Sequence, residues 1–369
     1  MNKIRFVDLN RQHADIKIAL KEAVLKVVES GVFIGGEEVK SFEKEMASWL
    51  GVGEIVGVGC ATSGLFSVLK CAGIGPGNEV ITTVHTAIAT LEAIHLAGAT
   101  PVICDIGDGS YNLDLNQLET KINSRTKALI PVHLYGQPVD MDRVMKIAAK
   151  HGLFVLEDCA QAQGALFGEK KVGSIGDAAV FSFFPSKTMG GFGDGGAVTA
   201  KNPELMKKIR MFCNHGREKK YYHEFMGTNS RLDAIQAAML RICLRKLDEW
   251  NQMRREAASW YNSALGGLKD VRIPSTISGT TPVYHVYVIV VPDREAMIKY
   301  LKEKGIETAI HYPYSLNVLP ALSFLGQGEG SLPRAEYACS HMLSLPLYPG
   351  VRKDEVEFVC DEIKNFLNR

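Results

Sequence analysis

Short apolar runs alternate with segments of helical length between about residues 55 and 200. The runs that we predict to form strands are EIVGVG, EVITTVH, TPVICDI, KALIPVHLY, LFVLEDCA and AAVFSFF. Strands that alternate with helices are typical of βα units around a mostly parallel sheet. Because these runs are apolar at nearly every position, we expect helices to cover both faces of that sheet. The fold class is therefore α/β.

The pattern changes after residue 200, where helical periodicity dominates. One segment, residues 230–265, is long enough to cross between two domains, and RIPSTISGTTP (272–282) has the composition of a linker. The remaining residues alternate again and form a small α/β unit that ends in a helix. We predict a large unit of residues 1–245, which includes the N-terminal segment, and a small unit of residues 246–369.

Composition narrows the range of partners. The chain has 369 residues, a net charge of +1, 46% hydrophobic and 22% charged residues, which indicates a globular protein with no field that would attract nucleic acid. The eight cysteines lack CxxC spacing and the histidines lack HxxxH or HExxH spacing, so we expect reduced thiols and no metal site. The sequence has neither a signal peptide nor a bilayer-length apolar stretch, and we predict a cytoplasmic protein without membrane contact.

Candidate chemistry follows the predicted strands, at the edge where open α/β sheets bind ligands. In GCATSGLFSVLK, Thr62 and Ser63 are good N-cap residues, and a helix that starts there offers free N–H groups to a phosphate. Asp158 follows an apolar strand, where a carboxylate needs a cationic partner. Its neighbour Glu157 is expected to point to the opposite face. Helix capping alone would also explain each of these residues.

Lys187 lies one strand beyond Asp158, in FSFFPSKTMGGFGDGGAV. A lysine whose pKa is lowered by burial can hold an aldehyde cofactor as a Schiff base, whereas an exposed turn would explain the same residue type. The hydroxyl groups of Ser182 and Ser186 can donate hydrogen bonds to a phosphate, and the glycines allow the backbone to approach the ligand closely. Together with the polar loop FMGTNSRLDAIQAA, these pieces meet the needs of pyridoxal phosphate, whose pyridine nitrogen requires an acid partner.

The chain resembles the DegT/StrS family of nucleotide-sugar aminotransferases, which are pyridoxal-phosphate enzymes of fold-type I. The resemblance rests on motifs in a fixed order over nearly the whole length: GVFIGGEEVKSFEKEMASWLG, GIGPGNEVITT, AGATPVICDI, TKALIPVHLYGQPVDMD, EDCAQAQGA, VGSIGDAAVFSFFPSK, GDGGAV, NHGREKKYYHEFMGTNSRLDAIQAA and LPLYP. It implies a large domain with a seven-stranded type of sheet, a smaller C-terminal α/β domain, and a homodimer whose active sites lie at the subunit interface.

The resemblance also implies roles for single residues. Lys187 is the Schiff-base lysine, Asp158 pairs with the pyridinium nitrogen, and Gln161 lies beside the phenolic oxygen of the ring. The phosphate is held by hydroxyl residues, with Ala61 beside them and with Asn229 reaching the cofactor of the partner subunit. These hydroxyl residues are Thr62, Ser63 and Ser182.

Three positions depart from the family pattern. The usual ring-stacking aromatic is Ala87 in TAIAT, and His85, on the same strand face, either stacks in its place or fills the strand edge. Gln163, in AQAQGA, and Asn317 each lie at a position where the family commonly has a histidine. His285 and His311 lie in the C-terminal unit and are candidates to face the substrate, together with Tyr312 and Asn317, although a core or capping role would also explain each histidine.

These features predict an aminotransferase that moves an amino group from glutamate or glutamine to a nucleotide-linked keto-deoxysugar, at C3 or C4. The product would serve surface polysaccharide or glycoconjugate biosynthesis. The HTAIAT form of the motif favours C3. Three alternatives remain: a keto-cyclitol acceptor such as an inosose, a sugar dehydratase of the kind formed by members that lack the lysine, and a non-catalytic regulator or sensor. The presence of Lys187 favours transamination over dehydration.

Overall fold

The computed structural model describes residues 3–107 and 109–368 of the chain. The helices are α1 Leu9–Gln12, α2 Lys17–Ser30, α3 Gly36–Leu50, α4 Ala61–Cys71, α5 Ala89–Ala97, α6 Leu115–Leu118, α7 Met141–His151, α8 Pro203–Phe212, α9 Ala234–Leu265, α10 Arg294–Glu303, α11 Pro333–His341 and α12 Lys353–Leu367. The strands are β1 Val56–Val58, β2 Glu79–Thr83, β3 Thr100–Cys104, β4 Thr126–Ile130, β5 Phe154–Asp158, β6 Leu166–Phe167, β7 Lys170–Lys171, β8 Ala178–Ser182, β9 Gly196–Ala200, β10 Thr280–Thr281, β11 Tyr287–Val290 and β12 Met342–Leu345. Short 3-10 turns lie at Glu119–Lys121, Leu134–Gly136, Leu316–Val318 and Pro320–Leu325.

A seven-stranded sheet with the order β1-β9-β8-β5-β4-β2-β3 forms the centre of the molecule. All its strands are parallel except β9, which runs antiparallel to β1 and β8. The predicted mostly parallel sheet is confirmed, and each of the six apolar runs forms one of its strands. The seventh strand, β9, was missed because the glycines that precede it resemble a loop.

Helices cover both faces of this sheet, as the apolar strands predicted. On one face, Phe181 packs in a buried cluster with Phe42 of α3 and Leu240 of α9. On the other face, Val180 packs with Leu65 of α4 and with residues of α8. Because neighbouring residues of β8 enter different cores, the strand is anchored from both sides, and its carboxyl end is held in a defined position.

The helix α9 joins this sheet to a second, smaller layer. Its first half contributes to the core beneath the large sheet, while Ala257 and Tyr261 in its second half pack against the antiparallel pair β11–β12 and against α12. At about 1.5 Å per residue, its 32 residues extend over about 48 Å. The proposed division at residues 245 and 246 therefore lies inside a continuous helix.

Three segments differ from the organisation that we expected. Within the candidate linker, β10 pairs with β6, so this stretch is tied to the large unit. The stretch IETAIHYP forms no regular strand, although Ala309 forms a bridge with Ser344. Ile4, in the N-terminal segment assigned to the large unit, packs in the core of the small unit. We keep residues 1–245 and 246–369 as a proposed division, with the N-terminal segment contacting both parts.

None of the helices in the described residues combines the length and the apolar character that a bilayer-spanning segment needs.

Candidate active site

Asp158 ends β5 as a buried carboxylate, with 5% of its surface exposed. One of its oxygens accepts a hydrogen bond from the hydroxyl of Thr90, at 2.8 Å, and the other accepts one from the backbone N–H of Ala160, at 3.1 Å. Burial raises the pKa of Asp158, although these hydrogen bonds and the charge of Lys187 oppose the rise. Because its direct donors are neutral, the carboxylate is suited to a cation that a ligand brings. Sequence reasoning missed Thr90, which lies in the quoted TAIAT motif.

Glu157 points to the opposite side of the strand, as the alternation of side chains predicted. Its carboxylate lies 3.0 Å from Nε2 of His133 and accepts backbone N–H groups of the loop 173–176. Burial alone would raise the pKa of Glu157, but the hydrogen bonds from His133 and from the backbone outweigh it and lower the pKa. His133 Nδ1 accepts the N–H of Val139. Although Cys159 lies within 4.8 Å of this pair, both nitrogens of the histidine are already used by the protein.

Lys187 lies in a compact loop between β8 and β9. The loop is so tight that a Cβ added at Gly190 would lie 2.0 Å from the carbonyl oxygen of Pro185. Burial lowers the pKa of Lys187 to about 8, and the negative charge of Asp158 only partly opposes this effect. An exposed turn would leave the lysine with an ordinary pKa. The amine is therefore a nucleophile near neutral pH, and it lies close enough to Asp158 for their charges to interact.

The helix α4 begins at the same edge of the sheet, directly after β1. Its N-cap is Cys60, so the expectation that Thr62 or Ser63 caps the helix was wrong; both lie in its first turn. Ser63 lies at the third helical position, where its hydroxyl bonds back to Cys60, as in a capping box, and contacts the hydroxyl of Ser230 at 2.7 Å. The backbone N–H groups of Ala61 and Thr62 have no acceptor among the described residues. These donors and the dipole of α4 favour an anion.

Close backbone packing brings Ser182 next to this helix end. Ser182 pairs with Gly196 of β9, and a Cβ at Gly196 would lie 2.9 Å from the backbone nitrogen of Ala61. The glycine therefore allows α4 to approach the sheet edge. Asn229 is exposed, and among the described residues its side chain has no hydrogen-bond partner. Its predicted contact with a partner subunit stays a prediction.

Tyr135 connects four of the predicted site residues and was missed by sequence reasoning. Its backbone N–H donates to Gln161 and its carbonyl accepts the N–H of His285, both at 2.8 Å. Its hydroxyl group donates to the carbonyl oxygen of His311 and lies 2.7 Å from Nε2 of His85. Its φ of 58° lies in the left-handed region. The only sequence signal was its place in the quoted motif HLYGQPVDMD.

The histidines of this region are held in the neutral form. Burial lowers the pKa of His85 to about 4, and burial together with Lys187 lowers that of His311 to about 4. Burial, Lys187 and Arg254 lower the pKa of His285 well below its usual value. His311 is fixed by a 2.9 Å hydrogen bond to Ser344. Near neutral pH these rings offer polar contacts to a ligand without adding positive charge.

His85 uses both ring nitrogens inside the protein, since Nδ1 lies 3.5 Å from the thiol of Cys339. Only the faces of its ring remain for stacking, and whether one of them covers a cofactor stays a prediction. Tyr312 joins the group through its hydroxyl, which accepts a 3.1 Å hydrogen bond from Gln161.

Asn317 is not brought together with the other predicted site residues. Its side-chain NH₂ donates to Gly328, Ser331 and Glu336, and its oxygen accepts the hydroxyl of Ser315. The amide therefore stabilises the loop that precedes α11. Within the described residues it has no contact with the lysine, the carboxylate or the histidines, and we do not retain it as a substrate residue.

The donor set fits pyridoxal phosphate. A buried carboxylate without a directly bonded cation suits the protonated ring nitrogen, an amine of lowered pKa suits the aldehyde, and free N–H groups at a helix start suit the phosphate. A mostly parallel seven-stranded sheet that carries these groups at one edge defines the class: a pyridoxal-phosphate-dependent enzyme with the fold of the fold-type I aminotransferases.

The chain belongs to the DegT/DnrJ/EryC1/StrS aminotransferase family, whose sequence profile matches residues 14–364. It is 42% identical over 365 residues to the dTDP-3-amino-3,6-dideoxy-alpha-D-galactopyranose transaminase of Aneurinibacillus thermoaerophilus, a match that covers 98% of this chain and 99% of the relative. It is 40% identical to DesV of Streptomyces venezuelae, whose crystal structure in complex with a ketimine intermediate superposes with a TM-score of 0.98 over 100% of both chains. NtdA of Bacillus subtilis, solved with bound pyridoxamine phosphate, is 28% identical, with a TM-score of 0.93 over 100% of this chain and 86% of that one.

These comparisons confirm the predicted family, the fold, the aminotransferase activity and the use of pyridoxal phosphate. They give no support to a keto-cyclitol acceptor. They confirm the prediction of an enzyme rather than a non-catalytic regulator. The roles of the single residues stay predictions.

Proposed function

We propose that this protein transfers an amino group from glutamate or glutamine to C3 of a nucleotide-diphospho-keto-deoxysugar. The observation that carries the reaction type is the half-buried amine of Lys187, whose pKa is lowered to about 8, beside the buried carboxylate of Asp158 at the carboxyl edge of the sheet. The choice of C3 is supported by the name of the Aneurinibacillus relative and by the HTAIAT motif. C4 amination is the competing outcome.

In this proposal, Asp158 holds the protonated ring nitrogen of the cofactor and Thr90 orients the carboxylate. The phosphate is held by Ser63, Ser182 and the N–H groups of the first turn of α4. Bound pyridoxal phosphate supplies an electron sink, which stabilises the negative charge left when a proton leaves the reacting carbon. Lys187 Nζ accepts that proton and returns it, and a pKa of about 8 suits both directions near neutral pH.

Neutral histidines suit a site in which the neighbouring amine of Lys187 has to accept a proton. His285 and His311 lie close enough to Lys187 for its charge to lower their pKa values. A protonated histidine there would make the free amine of Lys187 less basic and would slow proton uptake from the substrate. We infer that these rings and Tyr312 orient the sugar through neutral hydrogen bonds.

We further propose a homodimer with shared active sites. Large apolar side chains are exposed along α2 and around the lysine loop, including Ile18 (75% exposed), Leu25, Phe184 and Phe192. A groove of about 770 Å³ runs between α2 and that loop. A monomer that exposes such a surface beside its own catalytic lysine is expected to bury it against a second copy.

Mixed oligomers test the shared site. Lys187→Ala and Asn229→Ala, each inactive or weakly active alone, are to be unfolded together and refolded. If Asn229 acts across the interface, one of the two sites in a mixed dimer keeps both native residues and activity returns. If Asn229 acts within its own subunit, every site lacks one of the two residues and no activity returns.

A direct assay tests the proposed reaction. The purified protein is incubated with glutamate or glutamine and, in parallel, with dTDP-linked 3-keto and 4-keto deoxysugars and with an inosose. We expect release of the keto acid only with a sugar nucleotide, and a product with the new amine on C3 by NMR. Amination of the inosose, or of C4 alone, would contradict the proposal.

A further inference from the structure

The side chain of Gln163 is completely buried and closes the loop that carries Lys187. Its NH₂ group donates to the carbonyl oxygen of Ser182, at the end of β8, with a distance of 2.5 Å. Its carbonyl oxygen accepts the hydroxyl of Thr188, the residue directly after the lysine. One amide therefore joins both ends of the segment 182–188.

The orientation of this amide follows from its partners. The carbonyl oxygen of Ser182 can only accept a hydrogen bond, so the NH₂ group must face it, and the amide oxygen is left for the hydroxyl of Thr188. The backbone of Gln163 is fixed separately, because its carbonyl oxygen accepts a 2.9 Å hydrogen bond from the buried Asn251 of α9. The amide is thus a rigid support between the helix layer and the lysine loop.

We propose that Gln163 is a positioning residue that sets the direction in which Lys187 leaves the backbone. This inference rests on the proposed function, since it concerns the lysine assigned to the cofactor. A glutamine meets this requirement at all pH values, because its amide donates and accepts without titrating.

Loss of either hydrogen bond would free one end of the segment. The lysine would then reach a more hydrated position, and because burial is what lowers its pKa, the pKa would rise. A small displacement of a reacting group can reduce a rate by roughly tenfold to a hundredfold. Two consequences therefore belong together: a higher pKa of the amine and a slower proton transfer.

The test uses Gln163→Leu, Thr188→Val and the double variant, with Thr199→Val as matched control. Thr199 is a buried threonine whose hydroxyl donates to the carbonyl of Glu54, at 2.8 Å, so its variant loses the same group away from the lysine. The pH dependence of acylation of the Lys187 amine, followed by mass spectrometry of cofactor-free protein, gives the midpoint of its titration. Single-turnover amination of the keto-sugar then gives the rate in loaded enzyme.

We expect a wild-type midpoint of about 8, higher midpoints in both single variants, and rates about tenfold lower. The double variant should resemble Gln163→Leu, because that substitution already removes the bond to Thr188, and Thr199→Val should match the wild type in both measurements. A midpoint and rate of Thr188→Val equal to those of Thr199→Val would overturn the inference, even if Gln163→Leu does not fold. Failure of the wild type to bind pyridoxal phosphate would instead refute the proposed function, and the amine titration would still report on Gln163.

Discussion

The hydrogen bond from Thr90 to Asp158 should control the affinity for the cofactor. The substitution Thr90→Val keeps the shape of the side chain and removes the only side-chain donor that the carboxylate has among the described residues, at 2.8 Å. A hydrogen bond to a charged group contributes about 1.5–3 kcal/mol. Without it, the carboxylate form of Asp158 is less stable, and the pKa of this residue, already raised by burial, rises further.

This change should appear mainly in cofactor binding, because the charged carboxylate is needed only when it faces the protonated ring nitrogen. At about 1.4 kcal/mol for each factor of ten, pyridoxal phosphate should bind roughly ten- to a hundredfold more weakly. Equilibrium titration of cofactor-free protein, followed by absorbance, measures this affinity. Thr90→Ser keeps the hydroxyl and should bind close to the wild-type value. Wild-type affinity in Thr90→Val, or an equal loss in both variants, would refute the role of this hydrogen bond.

Four further outcomes follow from the geometry. Capture of pyridoxal phosphate by cofactor-free protein should accelerate as the pH rises through about 8, where the lowered pKa of Lys187 yields free amine, and a stopped-flow midpoint near 10.5 would contradict the burial of this lysine. The lowered pKa of Lys187 also determines how stability depends on pH. Between about pH 8 and 10.5 the unfolded chain binds more protons than the folded one, so the free energy of unfolding should rise with pH. Lys187→Met should lack this rise. His133→Leu removes the side-chain donor of the buried carboxylate of Glu157 and should lower the free energy of unfolding in urea by about 3–5 kcal/mol. Loss of the exposed ion pair in Glu119→Gln should have a much smaller effect, and equal losses would refute this assignment. Gly196→Ala should push α4 away from the sheet edge and weaken cofactor binding up to about tenfold through overpacking. The control Gly53→Ala has open space around its Cβ and should bind the cofactor as the wild type does. Unchanged binding in both variants would show that the close approach of Gly196 to α4 is not needed.

The sequence was sufficient for the features that depend on local periodicity. Apolar runs of strand length predicted six strands of the large sheet, and side-chain alternation separated Asp158 from Glu157. The position of Lys187 one strand further on placed it at the same sheet edge, because neighbouring parallel strands end at the same edge. These predictions needed only the periodicity of apolar residues along the chain and the order of the strands.

The sequence was insufficient where contacts join distant segments. Thr90 meets Asp158 across 68 residues, and Tyr135 meets His311 across 176 residues, so neither contact leaves a local pattern. Cys60 caps α4 although its thiol is a weak acceptor, because Ser63 supplies the return bond of the capping box. Asn317 resembled a substrate residue by motif alone, yet tertiary contacts use its whole amide.

The proposed mechanism depends on a covalent bond between the amine of Lys187 and the cofactor. Borohydride reduction of the loaded enzyme, followed by proteolysis and peptide mass spectrometry, shows which lysine forms this bond. We predict one modified peptide, carrying the mass of reduced pyridoxal phosphate on Lys187, and no such peptide from Lys187→Ala. Attachment to another lysine, or none in protein that contains the cofactor, would contradict the account.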